Sequence, residues 1–181
     1  MQLTASTITD PAVIARLARI KLLLLDVDGV LTDGRIIYDS SGAEIKAFHV
    51  RDGIGLRLLM AAGKQVGIIT GRSSQALSHR CRDLGIDMLF DGVQEKGKVF
   101  QQVLDTHALS PEEVAFVGDD LPDLPPMRRA GLAVAVADAH PLVLNLAHMV
   151  TESCGGKGAV REVCEAILSA QGLWEKVLER F

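Results

Sequence analysis

The sequence has few of the residues on which several classes of protein depend. Aromatic residues make up 4% of the 181 positions, which leaves little material for the surfaces on which nucleic-acid bases stack. No basic block offsets the net charge of −4, so a nucleic-acid partner is not expected. No apolar run approaches the length of a membrane span, and the N-terminus lacks the basic start and apolar core of a signal peptide. We therefore expect neither nucleic acid nor a membrane as partner.

Cysteine is also scarce. The three cysteines, Cys81, Cys154 and Cys164, show no metal-ligand spacing, and their odd number argues against a disulfide framework. Buried or idle thiols in a reducing compartment explain them best, so we expect a cytoplasmic protein. A chain of 181 residues is long enough for one domain with a substantial core.

What the sequence does contain is a run of four leucines, 22–25, followed at once by acids. A short run with no polar face predicts a strand buried on both sides, as in the middle of a parallel sheet. Asp26 and Asp28 come directly after it, and carboxylates are rarely buried unless they are paired or bind a metal. Extended spacing places them about 6–7 Å apart, enough to flank one phosphoryl group. Taken alone, the stretch also fits an ordinary Asp/Gly turn.

Strands and helices alternate along most of the chain. Residues 35–48 predict a β-hairpin with its turn at 39–42, inserted between the first strand and its helix. The other predicted strands lie near 66–69, 87–90, 114–117, 132–136 and 149–150. Helices are predicted at 10–19, 52–62, 73–84, 95–107, 121–130 and 158–170, with a short amphipathic tail at 173–181. This alternation predicts an α/β fold with a doubly wound, mainly parallel sheet and leaves no room for a cap domain.

Three of the predicted strands end in polar residues. Asp26 and Asp28 follow the first strand, Thr70 follows the second, and Asp119 follows the strand at 114–117. Lys96 lies in the first turn of the helix between the last two. Taken singly, these residues fit a turn, a helix N-cap or a surface lysine. Because the carboxyl ends of parallel strands meet at one edge of a sheet, their joint occurrence predicts a ligand site there.

Four motifs at these positions resemble those of the haloacid dehalogenase superfamily of phosphohydrolases. They are Asp-Val-Asp-Gly-Val-Leu-Thr at 26–32, Ile-Ile-Thr-Gly-Arg at 68–72, Lys96, and Gly-Asp-Asp-Leu-Pro-Asp at 118–123. The resemblance covers roughly residues 20–170. Segments 49–55 and 155–164 further resemble the family of 3-deoxy-D-manno-octulosonate 8-phosphate phosphatases, a capless branch. The chain departs from that pattern at His49, where an amide is expected, and at Lys157, where arginine's fork is replaced by a point charge.

The resemblance implies one phosphatase domain over 1–181, with a hairpin insertion at about 34–48 and a C-terminal tail at about 151–181. It also implies hydrolysis of an eight-carbon sugar-acid phosphate on the pathway to the inner sugar of lipopolysaccharide. Members of the family assemble as homotetramers through their hairpins. An exposed hairpin edge invites pairing, so we expect neighbouring subunits to cover the open site.

The acids can be given roles in phosphate-ester hydrolysis. Asp26 is the expected nucleophile and a metal ligand, forming an aspartyl-phosphate. Asp28 is expected to protonate the leaving alkoxide and then take a proton from water, and its backbone carbonyl is a candidate second ligand. Asp119 would complete the protein ligands of Mg²⁺, which prefers oxygen and bridges carboxylates to phosphate. We expect Asp120 and Asp123 to lie outside this first layer of ligands.

Other residues are expected to hold the substrate. Thr70 offers a hydroxyl and Gly71 a backbone amide to phosphate oxygens, and Lys96 would neutralise the developing charge. Arginine forks suit the carboxylate of a sugar acid. By resemblance, the substrate-contacting positions are Asp28, His49, Val50, Arg51, Asp52, Gly53, Arg57, Arg72, Arg80 and Lys96. A solvated helix face is the alternative for Arg57 and Arg80.

Four other functions or motifs fit parts of the sequence. A phosphatase for the nine-carbon 3-deoxynonulosonate 9-phosphate is the nearest, but that branch tends to have glutamate where Arg72 stands. A signalling receiver domain has its phosphorylated aspartate alone on a middle strand, unlike the pair Asp26 and Asp28. An inactive scaffold domain partnered to a nucleotidyltransferase is the third. Residues 92–99 nearly match a nucleotide-binding loop, but Val99 replaces the hydroxyl that binds Mg²⁺, so we reject that motif.

Overall fold

A six-stranded parallel sheet lies at the centre of the structure, a computed structural model that describes residues 10–179. Residues 1–9 and 180–181, which belong to the predicted domain and tail, lie outside the described residues. The strands are β1 (Leu22–Leu25), β2 (Ile37–Tyr38), β3 (Glu44–Ile45), β4 (Gln65–Ile69), β5 (Met88–Phe90), β6 (Val114–Gly118), β7 (Leu132–Ala135) and β8 (Met149–Val150). The helices are α1 (Pro11–Leu17), α2 (Val50–Ala61), α3 (Gln75–Leu84), α4 (Lys96–His107), α5 (Leu124–Met127), α6 (Pro141–Leu146), α7 (Ala159–Ala170) and α8 (Trp174–Leu178).

The sheet order is β5-β4-β1-β6-β7-β8. β1 pairs in parallel with β4 on one side and β6 on the other, and its four leucines are 0% exposed. The chain builds outward from β1 through β4 and β5, then crosses to β6 and builds the other way. This doubly wound order confirms the predicted fold and places a topological switch point beside β1, where such sheets bind ligands.

Helices cover both faces of the sheet. Contacts join α2 with α3 and α7, and α7 with α1, whereas α4, α5 and α6 contact one another through α5. Right-handed crossovers place these two groups on opposite faces. Among the helices of residues 10–179, none combines the length and the apolar character that a membrane crossing requires.

Two predicted elements are shorter than expected. The hairpin forms only two pairs, Ile37 with Ile45 and Tyr38 with Glu44, because a hairpin outside the main sheet has few contacts to extend it. The helix predicted at 121–130 is a 3₁₀ turn at Leu121–Asp123 followed by the short α5. The prolines within this segment lack the backbone N–H that a continuous helix needs.

Candidate active site

Three carboxylates meet at the carboxyl edge of the sheet. Asp26 follows β1 and donates its backbone N–H to the carbonyl of Val117 on β6, at 3.0 Å. Asp119 follows β6, and Asp123 ends the next turn. One oxygen from each of the three acids lies within 4.8 Å of the others. The acids that follow β1 and β6 therefore lie together in the structure, as predicted.

Gly29 allows this close approach. Its φ of +92° is in the region that favours glycine, and an added Cβ would lie 2.1 Å from Oδ2 of Asp119. The loop after Asp26 therefore passes directly over the Asp119 carboxylate, and no larger residue fits there.

Lys96 enters the same cluster from the first turn of α4. Its side chain is buried, and Nζ lies 2.8 Å from Oδ1 of Asp26 and 2.7 Å from Oδ1 of Asp123. Burial alone would lower the pKa of Lys96, but Asp123 and Asp26 raise it above its usual value. Lys96 therefore keeps its charge where a phosphate would lie.

The electrostatics of the cluster favour a cation. Burial, followed by repulsion from Asp123, raises the pKa of Asp26 to about 6. Burial and repulsion from Asp123, Asp26 and Asp120 raise the pKa of Asp119 to about 8. Within residues 10–179, Oδ1 of Asp119 and Oδ1 of Asp26 accept no hydrogen bond, although the latter ion-pairs with Lys96. Buried carboxylate oxygens left over in this way fit a divalent cation that prefers oxygen.

Both Asp120 and Asp123 are predicted to lie outside the first layer of metal ligands, but their surroundings in the structure differ. Asp123 is fully buried; its Oδ1 accepts from Lys96, and its Oδ2 accepts from the backbone N–H of Asp119 at 3.0 Å. Asp120 instead accepts from the N–H of Leu121 at 2.8 Å, on the exposed side of the 3₁₀ turn. Asp123 thus lies inside the carboxylate cluster, whereas the Asp120 carboxylate caps its own turn. The ligand roles remain predictions.

Asp28 faces a second group of charges, on the hairpin. Its Oδ1 accepts a short hydrogen bond from Nζ of Lys46, and its Oδ2 lies 3.7 Å from Nε of Arg72. Glu44 lies 3.3 Å from Nζ of Lys46 and accepts from Arg72 at 3.1 Å. The hydroxyl of Tyr38 lies 3.3 Å from Arg72. Sequence analysis assigned no role to the three hairpin residues, although strand alternation puts Glu44 and Lys46 on one face.

The predicted phosphate-binding residues lie at the adjacent strand end. Thr70 is buried directly after β4, the neighbour of β1, and its N–H donates to the carbonyl of Phe90 at 2.9 Å. Gly71 follows in the exposed turn that leads to α3. Both positions agree with a phosphate site beside Asp26, and the role itself remains a prediction.

The predicted substrate residues at the start of α2, together with Arg80 of α3, divide into two groups. His49, Asp52, Gly53 and Arg80 line one small cavity, whose other walls are mainly apolar. Nη2 of Arg80 donates to the carbonyl of His49 at 3.5 Å, and its guanidinium lies 5.7 Å from the ring centre of Phe48. Val50 and Arg51, by contrast, are exposed on the first turn of α2.

The side chains of Asp52 and Arg57 make hydrogen bonds to the backbone of other helices. Asp52 is 1% exposed, and its Oδ1 accepts from the N–H of Arg161 at 2.8 Å, at the N-terminal end of α7. Burial is the main cause that raises the pKa of Asp52 above its usual range. Arg57 donates to the carbonyl of Asp83 in the last turn of α3. These contacts favour a structural role for Asp52 and an exposed helix face for Arg57.

A C-terminal loop that contains Gly155 and Gly156 packs against the loop that follows Asp26, which we call the acid loop. Gly156 donates its N–H to the carbonyl of Val30 at 2.9 Å. A Cβ added to Gly155 would lie 1.7 Å from the carbonyl oxygen of Gly29. This support could not be inferred from the sequence, because it joins segments about 125 positions apart in the numbering.

The parallel sheet and the acid cluster define a hydrolase of the haloacid dehalogenase-like class, and residues 46–131 match that family. The 3-deoxy-D-manno-octulosonate 8-phosphate phosphatase of Escherichia coli K12 is 52% identical over 160 residues, which are 88% of this chain and 85% of that protein. The crystal structure of the same phosphatase from Yersinia pestis has a TM-score of 0.90 at 51% identity, covering 91% and 89% of the two chains.

A further solved structure, the 3-deoxy-D-manno-octulosonate 8-phosphate phosphatase of Moraxella catarrhalis, is a complex with a magnesium ion, a phosphate ion and a KDO molecule. It has a TM-score of 0.91 at 40% identity, covering 93% of this chain and 97% of that chain. This chain belongs to the 3-deoxy-D-manno-octulosonate 8-phosphate phosphatase family. The resemblance stated from the motifs is confirmed, and the receiver-domain alternative was wrong.

Proposed function

We propose that this chain is a Mg²⁺-dependent phosphatase that hydrolyses 3-deoxy-D-manno-octulosonate 8-phosphate to 3-deoxy-D-manno-octulosonate and phosphate. The observation that carries the proposal is the meeting of Asp26, Asp119 and Lys96 at the edge of the sheet, in a chain 52% identical to the E. coli enzyme. The Moraxella relative holds magnesium, phosphate and KDO in one complex, which are the metal and the two products of this reaction.

The reaction proceeds in two steps. A carboxylate oxygen of Asp26 bonds to phosphorus, the bond from phosphorus to the sugar oxygen breaks, and Asp28 gives its proton to that oxygen. Water then bonds to the phosphorus of the aspartyl-phosphate and loses a proton to Asp28. The bond from phosphorus to Asp26 breaks, which releases phosphate and restores both acids.

The residues that would hold Mg²⁺ are Asp26, Asp119 and the backbone carbonyl of Asp28. Asp123, which lies in the same cluster, holds Lys96 and the Asp119 amide and supports the ligands. When bound, Mg²⁺ supplies positive charge that offsets the repulsion between a carboxylate and a phosphate. The raised pKa values of Asp26 and Asp119 show how strongly the protein alone disfavours their negative charge.

Positive and polar groups would hold the phosphate and the sugar acid. Thr70, the Gly71 amide and Lys96 surround the phosphate position, where Lys96 neutralises charge. Arg72 is a candidate for the substrate carboxylate, because its side chain is 41% exposed beside the site. The arginine at this position is also the sequence feature that favours an eight-carbon over a nine-carbon substrate.

We infer that the protein is a cytoplasmic homotetramer joined through its hairpins, acting in lipopolysaccharide precursor synthesis. Of the large exposed apolar side chains of residues 10–179, a group clusters on the hairpin and the start of α2: Ile36, Ile37, Tyr38, Ile45, Val50 and Ile54. Such a cluster is typical of a protein interface.

The experiment that tests this function is steady-state phosphate release with Mg²⁺ from a panel of sugar phosphates that includes the eight- and nine-carbon keto acids. Wild type should prefer the eight-carbon acid, and Asp26→Asn should lower turnover by about 10³-fold or more, because it removes the nucleophile. Asp105→Asn, an exposed change on α4, is the matched control and should not alter turnover.

The outcomes separate the parts of the proposal. Broad, weak turnover that Asp26→Asn abolishes would keep the chemistry but move the substrate elsewhere. Turnover that survives in Asp26→Asn would exclude Asp26 as the nucleophile. No turnover of any phosphate ester would favour the inactive scaffold.

A further inference from the structure

A cluster of four charged side chains joins the hairpin to the loops after β1 and β4. It consists of Asp28, Glu44, Lys46 and Arg72, and we call it the hairpin charge cluster. Lys46 bridges Asp28 and Glu44, and Arg72 bridges the same two acids. The reaction described above uses Asp28 and Arg72 but gives no role to Glu44 or Lys46.

Lys46 has the features of a residue held in one position. Its side chain is only 2% exposed, which is unusual for a lysine because an ammonium loses its hydration on burial. Its Nζ donates to Oδ1 of Asp28 and lies 3.3 Å from Oε1 of Glu44. The two acids compensate the buried charge and fix the direction of the ammonium.

Asp28 depends on Lys46 in turn. Its Oδ2 accepts no hydrogen bond from residues 10–179 and lies 3.7 Å from Nε of Arg72, so the hydrogen bond from Lys46 is the main side-chain constraint on the orientation of the carboxyl group. A general acid must hold its proton within about 3 Å of the leaving oxygen, and a small misplacement slows the reaction strongly.

We propose that Lys46 is a positioning residue for Asp28, which it holds toward the leaving group, and that Glu44 keeps Lys46 in place. The inference rests on the proposed function, because it assumes that Asp28 is the general acid. Lys46 acts on the reaction only through Asp28.

The hairpin is suited to this task because its two faces differ. Glu44 and Lys46 are two positions apart and both join the hairpin charge cluster, whereas Ile45 between them is 49% exposed. The same strand therefore carries the group that orients Asp28 and part of the apolar surface proposed for assembly. A hairpin that is held by a neighbouring subunit would also hold Lys46.

The test uses the leaving group, because only poor leaving groups need the proton of Asp28. An alkyl phosphate such as glycerol phosphate, or the sugar-acid phosphate itself, releases an alkoxide that must be protonated. p-Nitrophenyl phosphate releases a stable anion that needs no acid. Lys46→Met should lower kcat/KM for alkyl phosphates by about 10–100-fold, part of the 10²–10⁴ that general acid catalysis supplies. It should change kcat/KM for p-nitrophenyl phosphate by less than about threefold, because kcat/KM reports the step that releases the leaving group and not the later hydrolysis, in which Asp28 acts as the base.

Other variants define the pattern. Asp28→Asn should show the same selectivity in kcat/KM at a larger magnitude, because it removes the acid itself, and should lower kcat for both substrates, because it also removes the base of the second step. Glu44→Gln, which keeps the shape of the side chain but not its charge, should show the selectivity at a smaller magnitude. The matched control is Lys21→Met, which removes a lysine paired with Glu113 at the opposite end of β1 and should leave both substrates unaffected.

Three results would overturn the inference. The first is an equal loss of kcat/KM for alkyl phosphates and for p-nitrophenyl phosphate in Lys46→Met and Glu44→Gln, which would indicate a structural role. The second is no change in kcat/KM for either kind of substrate. The third is a raised KM for the sugar-acid phosphate with kcat unchanged, which would make Lys46 a substrate contact. Failure of the proposed function is distinct, because it would appear as turnover that survives in Asp26→Asn or as no turnover in the wild type.

Discussion

Asp119 carries much of the unfavourable charge in the site. Its pKa is about 8 in the folded protein, against 3.8 for an ordinary aspartate, because it is buried beside Asp123 and Asp26. The folded chain therefore holds this proton more tightly than the unfolded chain does. Its contribution to stability is complete below about pH 4 and is lost as the pH rises to about 8.

This charge predicts how Mg²⁺ stabilises the protein. A bound cation offsets the repulsion among the carboxylates, so Mg²⁺ should raise Tm more at pH 8 than at pH 5. At about 100 times its Kd, the gain at pH 8 should be about 5–10 °C. Thermal unfolding with and without Mg²⁺ at both pH values measures this.

Asp119→Asn provides the comparison for that measurement. The variant should be more stable than wild type at pH 8 without Mg²⁺, because it removes one repelling charge, and should lose most of the gain from Mg²⁺. Asp105→Asn should behave as wild type does. An equal gain from Mg²⁺ in Asp119→Asn and wild type would show that the cation binds elsewhere.

At the scale of elements, helix α7 depends on a side chain from α2. Asp52 accepts from the N–H of Arg161 in the first turn of α7, where helix amide groups lack partners within the helix. Asp52→Ala should therefore lower the free energy of unfolding by about 1–2 kcal/mol, measured by urea denaturation. Asp10→Ala, which removes an exposed cap from α1, is the control with the same chemical change and should be milder.

Asp52→Asn separates this capping role from the predicted substrate contact. Asparagine keeps an oxygen for the Arg161 amide, so stability and KM should both stay near their wild-type values. A KM that rises at unchanged stability would restore Asp52 to the substrate-binding residues.

The C-terminal loop is a second contact between distant elements. Gly155→Ala places a methyl group against the Gly29 carbonyl, so it should destabilise the protein by about 1–3 kcal/mol and lower kcat by displacing the acid loop. Phosphate release and urea denaturation are measured together. Gly172→Ala is the control, because its φ of +65° makes alanine strained while no atom lies within 4 Å of the added Cβ.

That control should lose about 1–2 kcal/mol and keep kcat. If both variants kept kcat, the loop would support the fold without affecting the acids.

For the whole molecule, the apolar surface of the hairpin predicts the assembly. Ile37 and Ile45 are paired across the hairpin and are both more than 40% exposed. Changing both to Lys should convert the expected tetramer to smaller species in sedimentation velocity and lower activity, because neighbouring subunits no longer cover the site. Leu142→Lys, an exposed apolar position on α6, should leave the assembly intact. A wild-type monomer with full activity would contradict the assembly and the covered site.

The sequence by itself determined the order of the elements and the place of the chemistry. Leu22–Leu25 had to be a central strand because the run has no polar face, and the structure buries it completely. The acids after β1 and β6 and the threonine after β4 had to lie at one edge of the sheet, because its strands are parallel, and the acids of the two strand ends do lie together. Motifs of this kind also identified the family, since they depend on local spacing.

Only the tertiary structure decided which side chains touch. The contacts of Lys46 with Asp28, of Asp52 with α7, and of Gly155 with Gly29 join segments that local periodicity does not relate. Burial and strand order are encoded in short patterns along the chain. The partner of each buried charge, by contrast, depends on where the folded sheet and its loops bring distant segments together.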